Sequence, residues 1–321
     1  MIRLGLLSTA RINRRILPAA RESPRVEVVA VASRDGARAD EYARVNGIPR
    51  AWGSYDALLA DEAVDAVYVA LPNSLHVKWA VRALEAGKHV LCEKPLAATE
   101  EGAEEAFAAA VRSGRVLMEG FMYRHNPQTR RLRELVSAGV VGRPRLVRAV
   151  FTFQAEGDRN VRLDPELGGG SLLDLGCYCL SGARLLLGEP ERLWATQVVG
   201  PTGVDELFAA TLAFAEGAVA QFHCGLVLPF RQELEVVGED GRLVVVDPWL
   251  VRSPGIELVR GDHAETIAVE AADSYRLELD DFAAAVRGDH EPLLGREDGL
   301  AQARGLEALG RAARDGTAVT V

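Results

Sequence analysis

"IRLGLLSTARIN", residues 2–13, is an apolar run that ends in a turn of small and hydroxyl-bearing residues and then opens a helical pattern. Four more short apolar runs follow before residue 120, and stretches with helical periodicity separate them. Strands that alternate with helices predict a parallel sheet with helices on both faces. Continuous apolar runs such as "VVAVA" and "AVYVAL" fit strands that are buried on both sides.

The pattern changes after residue 120. One helical stretch, residues 127–138, precedes long strand-like segments, and turn signals such as "EGA" and "GEDG" separate the later segments. This arrangement predicts an antiparallel sheet. We therefore expect an α/β fold, in which an N-terminal Rossmann parallel sheet is joined to a C-terminal α+β domain with a large, mostly antiparallel open sheet. The predicted domains are residues 1–121 for dinucleotide binding and residues 122–321 for substrate binding and oligomerisation.

The composition excludes several classes of partner. The chain has 321 residues, 48% of them hydrophobic, and a formal net charge of −9, which argues against nucleic acid or an anionic membrane. No apolar run approaches the ~20 residues of a membrane helix, and the first residues lack a signal-peptide core, so we expect a cytoplasmic protein. The four cysteines lack the spacing of a zinc site or a disulfide framework, and no metal is expected.

The turn after the first strand stands where the dinucleotide fingerprint G-x-G-x-x-G/A belongs. Gly5 and Ala10 occupy its outer positions, but Leu7 replaces the middle glycine. Free N–H groups at the start of a helix would face a diphosphate there, although an ordinary capped turn has the same residues. The cofactor contacts predicted in this turn are Gly5, Ser8, Thr9, Ala10, Arg11 and Ile12.

The end of the second strand indicates which dinucleotide is bound. NAD sites usually place an acid there for the ribose 2′-hydroxyl, whereas an arginine accommodates the 2′-phosphate of NADP. Ser33 and Arg34 come first, Arg38 follows one turn later, and Asp35 stands one residue late. Because a guanidinium suits a phosphate, this pattern favours NADP, with NAD as the alternative. Surface arginines at a helix start are the competing interpretation.

Two further strand ends reach the same rim of a parallel sheet, where ligands bind. "ALPNSLHV", residues 70–77, and "HVLCEKPLA", residues 89–97, supply polar residues there. Pro95 has a fixed φ and no N–H, so it stops the strand and constrains the residue before it, which a surface ion pair would not need. The cofactor contacts predicted at these ends are Leu71, Pro72, Asn73, His76, Glu93 and Lys94; His76 could equally be an ordinary helix residue.

"CEKPLA", together with "VALPNSLHV" upstream and "GGGSLLDLGCYC" downstream, resembles the Gfo/Idh/MocA oxidoreductase family. The resemblance implies a Rossmann domain joined to an antiparallel α/β domain, and oxidation or reduction of sugars and related alcohols with NAD(P). Many members carry a histidine where this chain has Tyr178. That departure is similar to the branch that contains dimeric dihydrodiol dehydrogenase and NADP-dependent D-xylose 1-dehydrogenase.

The chemistry expected of these residues is proton transfer. Asp174 and Tyr178 are four residues apart, which puts them on one face of a helix. A free tyrosine has a pKa of about 10, and an ammonium within ~4–6 Å would lower it. We predict Lys94, Tyr178 and Asp174 as catalytic residues: Tyr178 exchanges the proton, Lys94 tunes Tyr178 and polarises the reacting oxygen, and Asp174 orients the substrate or Tyr178.

The remaining site predictions concern the second domain. Arg124, in "MEGFMYRHNPQ", is expected to border both nicotinamide and substrate, and Phe153 to face either the pocket or the core. The glycines at 168–170 are either a plain loop or donors of N–H groups to substrate oxygens. The predicted substrate contacts are Lys94, Arg124, Phe153, Asp174 and Tyr178.

The expected function is that of an NADP-dependent dehydrogenase or reductase that acts on an aldose such as D-xylose, or on a related polyol. Three alternatives stay open: a nicotinamide-sensing regulator without catalysis, a keto-sugar-nucleotide reductase, and a trans-dihydrodiol dehydrogenase. The second domain's sheet has helices mainly on one side, so we expect a homodimer or homotetramer formed through its other face.

Overall fold

The computed structural model describes residues 1–157 and 160–321 and groups them into two units. The first unit contains Met1–Met122 and Asp273–Leu300, and the second contains Tyr123–Ala272 and Ala301–Val321. The predicted ranges, 1–121 and 122–321, did not include the return of Asp273–Leu300 to the first unit. This return brings a late helix into the nucleotide-binding unit.

The sheet of the first unit is parallel throughout and has the order β3-β2-β1-β4-β5-β6. The direction of winding reverses between β1 and β4, which is the topological switch point where such sheets bind ligands. The predicted Rossmann architecture is therefore confirmed. The strands are β1 Ile2–Leu6, β2 Val26–Ala32, β3 Arg50–Trp52, β4 Ala66–Val69, β5 His89–Glu93 and β6 Leu117–Gly120.

Side-chain caps begin several helices of this unit at the positions that the sequence requires. Asp35, Ser54 and Thr99 each accept a backbone N–H of the first turn, which satisfies a donor that would otherwise have no intrahelical partner. The helices are α1 Asn13–Glu22, α2 Gly36–Asn46, α3 Tyr55–Leu59, α4 His76–Glu85 and α5 Glu100–Ser113, and α8 Ser274–Val286 joins them from the returning segment.

The second unit contains a nine-stranded sheet in the order β14-β13-β12-β11-β7-β10-β9-β8-β15. The β7–β10 pair is parallel and the other neighbours are antiparallel, so the predicted mostly antiparallel open sheet is confirmed. The strands are β7 Pro144–Gln154, β8 Pro190–Val199, β9 Asp205–Phe214, β10 Val219–Gly225, β11 Val227–Gly238, β12 Arg242–Val245, β13 Ile256–Arg260, β14 His263–Ile267 and β15 Val319–Thr320.

Helix α7 Cys177–Leu187 packs on one face of this sheet, against β7 and β10. Two more helices, α6 Pro127–Ser137 and α9 Arg296–Asp315, contact α7. Close packing fixes α7, because a Cβ at Gly182 would lie 2.8 Å from the ring of Trp249. The opposite face carries alternating exposed side chains, including Trp194 on β8 and Gln221 on β10. In the part of the chain that the structure describes, no helix is long and apolar enough to cross a membrane.

Candidate functional site

The turn after β1 is tied to the end of β4 at the switch point. The Ser8 hydroxyl donates to the carbonyl of Ala70 at 2.8 Å and accepts the N–H of Ala10 at 3.2 Å. Asn13 holds the other side of the turn, because its amide donates to the Ser8 carbonyl at 2.8 Å. Residues 8–12, the predicted cofactor contacts, are half-buried or exposed along this rim, whereas Asn13 is buried.

Gly5 owes its identity to packing within the unit. A Cβ there would lie 2.9 Å from the side chain of Leu58 on α3 and 3.1 Å from that of Val64. The strand and α3 could not approach as closely with a larger residue. Contact between Gly5 and a diphosphate stays a prediction.

The end of β2 presents two cations. Arg34 and Arg38 are exposed, and the electrostatic influence of both opposes the burial that raises the pKa of Tyr55. Asp35 accepts the N–H of Arg38 at 3.2 Å, so its carboxylate begins α2 as a helix cap. The N–H of Asp35 in turn is donated to the Ser33 hydroxyl at 3.2 Å. The carboxylate of Asp35 is therefore engaged as a helix cap, and the side chains of Arg34 and Arg38 are exposed at the surface.

His76 links the loops that follow β4 and β5. Its Nδ1 lies 2.7 Å from the carbonyl of Pro95, and its Nε2 lies 2.7 Å from the carbonyl of Leu71. Burial lowers the pKa of this imidazole, and a neutral ring donates only one hydrogen bond at a time. His76 is 1% exposed, so these contacts assign it to holding the two loops together. Its direct contact with a cofactor stays a prediction.

Glu93 and Lys94, at the end of β5, are held by hydrogen bonds from within the first unit. Oε1 of Glu93 accepts a hydrogen bond from the hydroxyl of Tyr68, and its Oε2 accepts the N–H of Lys94 at 3.3 Å. The Lys94–Pro95 peptide bond is cis. One residue further on, the N–H of Leu96 is donated to Oε1 of Glu119 at 2.8 Å. Two carboxylates thus fix the backbone that carries Lys94 at the rim of the sheet.

Glu278, on the returning helix α8, lies near this corner and was missed in the sequence. It is 1% exposed, and neither carboxyl oxygen has a hydrogen-bond partner among the described residues. Burial, and then the charge of Glu93, raises the pKa of Glu278 well above its usual value. The pKa of Tyr68 is raised by the same causes. Its environment therefore favours the protonated carboxyl, and no local pattern in the sequence separates Glu278 from a surface glutamate.

In the second unit, Asp174 lies in a π-helical turn, Leu172–Gly176, and Tyr178 follows in α7. Such turns are common at functional sites, and a sequence spacing of four does not reveal them. The ring of Tyr178 packs against Phe151, Tyr123 and Trp249, with centroids 5.4, 5.8 and 6.0 Å away. These contacts fix the ring while a small part of its surface stays exposed.

Arg162 accompanies this pair and was also missed in the sequence. Its Nε donates to Oδ2 of Asp174 at 2.6 Å, and its guanidinium carbon lies 5.5 Å from the ring centre of Phe153. The charge of Asp174 is the largest cause of its raised pKa, and Tyr178 contributes in the same direction. A lone arginine in a loop without periodicity gives no sequence signal, so this neighbour could not be predicted.

The three glycines before α7 are used within their own loop. The N–H groups of Gly168, Gly169 and Gly170 are donated to the carbonyls of Pro165, Asp164 and Arg162 at 3.2, 2.9 and 2.9 Å. The hypothesis that these groups hold substrate oxygens is therefore wrong, since each N–H already has a backbone acceptor. The alternative interpretation, a structural loop, is the one that the structure supports.

The other two predicted residues of this unit, Arg124 and Phe153, have different neighbours. The side chain of Arg124 donates to the Ser181 hydroxyl at 3.3 Å, and Tyr123 donates to the same oxygen at 2.7 Å. Phe153 is partly exposed beneath Arg162, whereas Phe151 is buried against Tyr178. The second unit therefore groups Phe153 with Asp174 and Arg162. The predicted cofactor contacts other than Arg124 lie in the first unit.

Both units match models of known families. Residues 2–121 match the "Oxidoreductase family, NAD-binding Rossmann fold", and residues 129–244 match the "GFO/IDH/MocA C-terminal domain". D-xylose 1-dehydrogenase (NADP(+)) 2 from Haloferax volcanii is 40% identical over 98% of each chain. A dTDP-3,4-didehydro-2,6-dideoxy-α-D-glucose 3-reductase from Actinomadura kijaniata is 38% identical over 98% of this chain and 96% of its own.

Solved structures give the same fold. KijD10, a 3-ketoreductase from Actinomadura kijaniata in complex with NADP and TDP-benzene, superposes with a TM-score of 0.92 at 37% identity over 97% of each chain. Aldose-aldose oxidoreductase from Caulobacter crescentus, complexed with glycerol, gives a TM-score of 0.93 at 30% identity over 100% of this chain and 99% of its own. KijD10 has also been solved with a lysine or a tyrosine substituted, and those two positions are 84 residues apart.

Proposed function

This chain belongs to the Gfo/Idh/MocA family of oxidoreductases, and from that premise we propose that it transfers a hydride between NADP and a CH–OH carbon of an aldose such as D-xylose or of a related polyol. The observation that carries the proposal is the placement of Lys94 at the carboxyl end of β5, where the half-buried Glu93 and the buried Glu119 fix its backbone. A sensor of nicotinamide needs the groove but has no need of a rigidly held ammonium there.

The residues at the end of β2 fit NADP by their chemistry. Arg34 and Arg38 offer two guanidinium groups to a 2′-phosphate, while Asp35 is occupied as a helix cap. An NAD site would instead direct its acid at the ribose. NADP is therefore the cofactor that we propose, with NAD as the weaker alternative.

The chemical roles follow from the groups that each unit offers. When bound, NADP supplies the hydride acceptor or donor. In the oxidative direction, the substrate hydroxyl gives its proton to the phenolate oxygen of Tyr178, a form that the charge of Lys94 favours. The ammonium of Lys94 hydrogen-bonds the reacting oxygen and stabilises its developing negative charge. Asp174, already paired with Arg162, orients the substrate beside Tyr178.

A relative's spacing supports the pairing of Lys94 with Tyr178. The lysine and tyrosine substituted in KijD10 are 84 residues apart, which is also the separation of these two residues in this chain. Equal spacing in a chain of the same fold supports the view that Lys94 and Tyr178 occupy the positions of those two residues.

Reduction of a keto-sugar carried on a nucleotide is the second candidate. It is favoured by similarity to the 3-ketoreductases, whose identity to this chain nearly equals that of the xylose dehydrogenase. The free aldose ranks first because Arg162 is already ion-paired with Asp174, so this described pair offers little net positive charge to a diphosphate.

A second copy of this chain is the partner that we propose for the open sheet face. Trp194 is 40% exposed there, and Arg148 and Arg231 stand beside Glu233 and Glu235 on neighbouring strands. A face with both charges and an exposed aromatic residue can complement itself across a two-fold axis. Sedimentation at micromolar concentration should give a dimer or tetramer, and a monomer would contradict this part of the proposal.

The function is tested by a spectrophotometric screen at 340 nm with NADP⁺ and NAD⁺ over aldoses, polyols and cyclic diols. A TDP-linked keto-sugar with NADPH completes the set. Turnover of neutral aldoses, faster with NADP⁺, is the expected result. Tight NADP⁺ binding in a calorimeter without turnover of any candidate would favour the sensor instead.

A further inference from the structure

The loop before α7 is built to present one side chain. Gly170 donates its N–H to the carbonyl of Arg162, and a Cβ at Gly169 would lie 2.5 Å from that same oxygen. Any side chain at Gly169 would push the backbone of Arg162 away. The N–H groups of the glycine run are bonded to its own loop. The glycines therefore serve to place Arg162.

The base of this loop is held just as firmly. Oδ2 of Asp205 accepts the Ser171 hydroxyl and the N–H of Leu172, both at 2.7 Å. A Cβ at Gly170 would clash with the other oxygen of Asp205. Because β9 anchors the segment immediately after Gly170, the loop has a fixed end from which it can present Arg162.

The guanidinium of Arg162 is pre-oriented at the predicted substrate residues. Asp174 bonds its Nε, and the ring of Phe153 lies beneath its plane. Its side chain is 39% exposed, whereas the side chain of Asp174 is only 14% exposed. Among the described residues, only the Nε of the Arg162 guanidinium has a hydrogen-bond partner. The terminal nitrogens can therefore donate outward.

We propose that Arg162 is a specificity-determining residue that, together with Asp174, binds neighbouring hydroxyl groups of the sugar. This inference rests on the proposed function and adds which groups of the substrate, its neighbouring hydroxyls, the enzyme recognises. A sugar hydroxyl both donates and accepts, so one hydroxyl can accept from a guanidinium N–H while its neighbour donates to the carboxylate. The paired charges nearly cancel, which suits a neutral polyhydroxylated ligand and disfavours an anionic one.

The decisive comparison uses deoxygenated substrates. The aldose with the highest kcat/KM in the screen, and each of its monodeoxy analogues, are assayed with the wild type, Arg162→Gln and Arg162→Lys. Arg162→Gln should lower kcat/KM for the parent sugar by about 10- to 100-fold, the cost of a hydrogen bond to a charged group. For the analogue that lacks the bound hydroxyl, the same substitution should cost less than about 3-fold.

Arg162→Lys keeps the positive charge but removes the planar guanidinium group, so it tests the two contributions separately. It should lose at least about 5-fold on the parent sugar, since an ammonium cannot hold the carboxylate and a hydroxyl in one plane. Full activity in this variant would overturn the proposed geometry. Equal losses for Arg162→Gln on the parent and on every analogue would overturn the hydroxyl contact, because a merely structural defect ignores which hydroxyl is missing.

The controls distinguish this inference from the function beneath it. Arg143→Gln removes another half-exposed, ion-paired arginine of the second unit, located at the opposite end of β7 from Phe153, and should leave all kcat/KM values unchanged. The Kd for NADP⁺ should stay within about 2-fold in Arg162→Gln. If the wild type turns over no neutral aldose, the proposed function fails and this inference with it. Turnover with uniform losses overturns the inference alone.

Discussion

The hydroxyl of Tyr68 donates a hydrogen bond to Oε1 of Glu93, the residue that immediately precedes Lys94. Tyr68 lies on β4 with no exposed surface, so this bond reaches the rim from inside the sheet. The other oxygen of Glu93 accepts the N–H of Lys94. The orientation of Lys94 is therefore supported by the buried core of the first unit.

Tyr68→Phe removes this support while keeping the ring. We expect the free energy of unfolding to fall by about 1–3 kcal/mol, because a part-buried carboxylate loses its donor. The loss is measured by urea denaturation at pH 7. Tyr42→Phe, which deletes the hydroxyl of a half-buried tyrosine of the same unit, is the control and should cost less than about 1 kcal/mol. Equal effects of the two substitutions would contradict the account.

Glu278 predicts an unusual dependence of stability on pH. Its pKa is raised in the folded state, so the native protein binds this proton more tightly than the unfolded chain does. The native state is then penalised as pH rises above the unfolded value of about 4.3, with a slope of up to about 1.4 kcal/mol per pH unit until the folded pKa is reached.

Glu278→Gln imitates the protonated form and should remove that slope. Urea denaturation between pH 5 and pH 8 should show the variant gaining stability over the wild type as pH rises, and the two converging toward pH 4. Glu105→Gln, a change on the exposed side of α5, should keep the slope of the wild type. Parallel curves for Glu278→Gln and the wild type would show that this carboxyl ionises normally.

We expect the choice of cofactor to depend on Arg34. Arg34→Ala should lower kcat/KM for NADP⁺ by about 10- to 100-fold and that for NAD⁺ by less than about 3-fold, since only the 2′-phosphate loses its partner. Arg44→Ala, on the helix α2 that follows Arg34 and paired with Glu41, is the control and should change neither value. A loss that is equal for both cofactors would place Arg34 away from the 2′-phosphate.

Hydrophobic periodicity and the residues at strand ends were enough to predict much of the fold. Continuous apolar runs predicted the parallel strands, and Pro95 predicted that Lys94 would be held at the end of β5, because both signals are local in sequence. The turn residues between the later strands were equally local. These features need no knowledge of distant neighbours, which is why they could be predicted from one sequence.

The missed residues depend on contacts between distant parts of the chain. Glu278 becomes a buried acid only because α8 returns to the first unit, some 185 residues after Glu93. Arg162 is oriented by Asp174 and by the glycine loop, whose N–H groups could not be assigned acceptors from the sequence. His76 lies in the first turn of α4, as the sequence indicated, but its backbone partners could not be predicted because they belong to two separate loops.

The pairing of Lys94 with Tyr178 is the central claim, and a double-mutant cycle on single-turnover hydride transfer tests it most directly. NADPH absorbance would be followed for the wild type, Lys94→Met, Tyr178→Phe and the double variant, with Lys78→Met as an exposed-lysine control. Each single substitution should lower the rate by at least about 100-fold, and the double should lose little more than the worse single, because the two groups serve one proton transfer. Losses that multiply in the double variant, or a rate in either single variant within about 3-fold of the wild type, would contradict the claim.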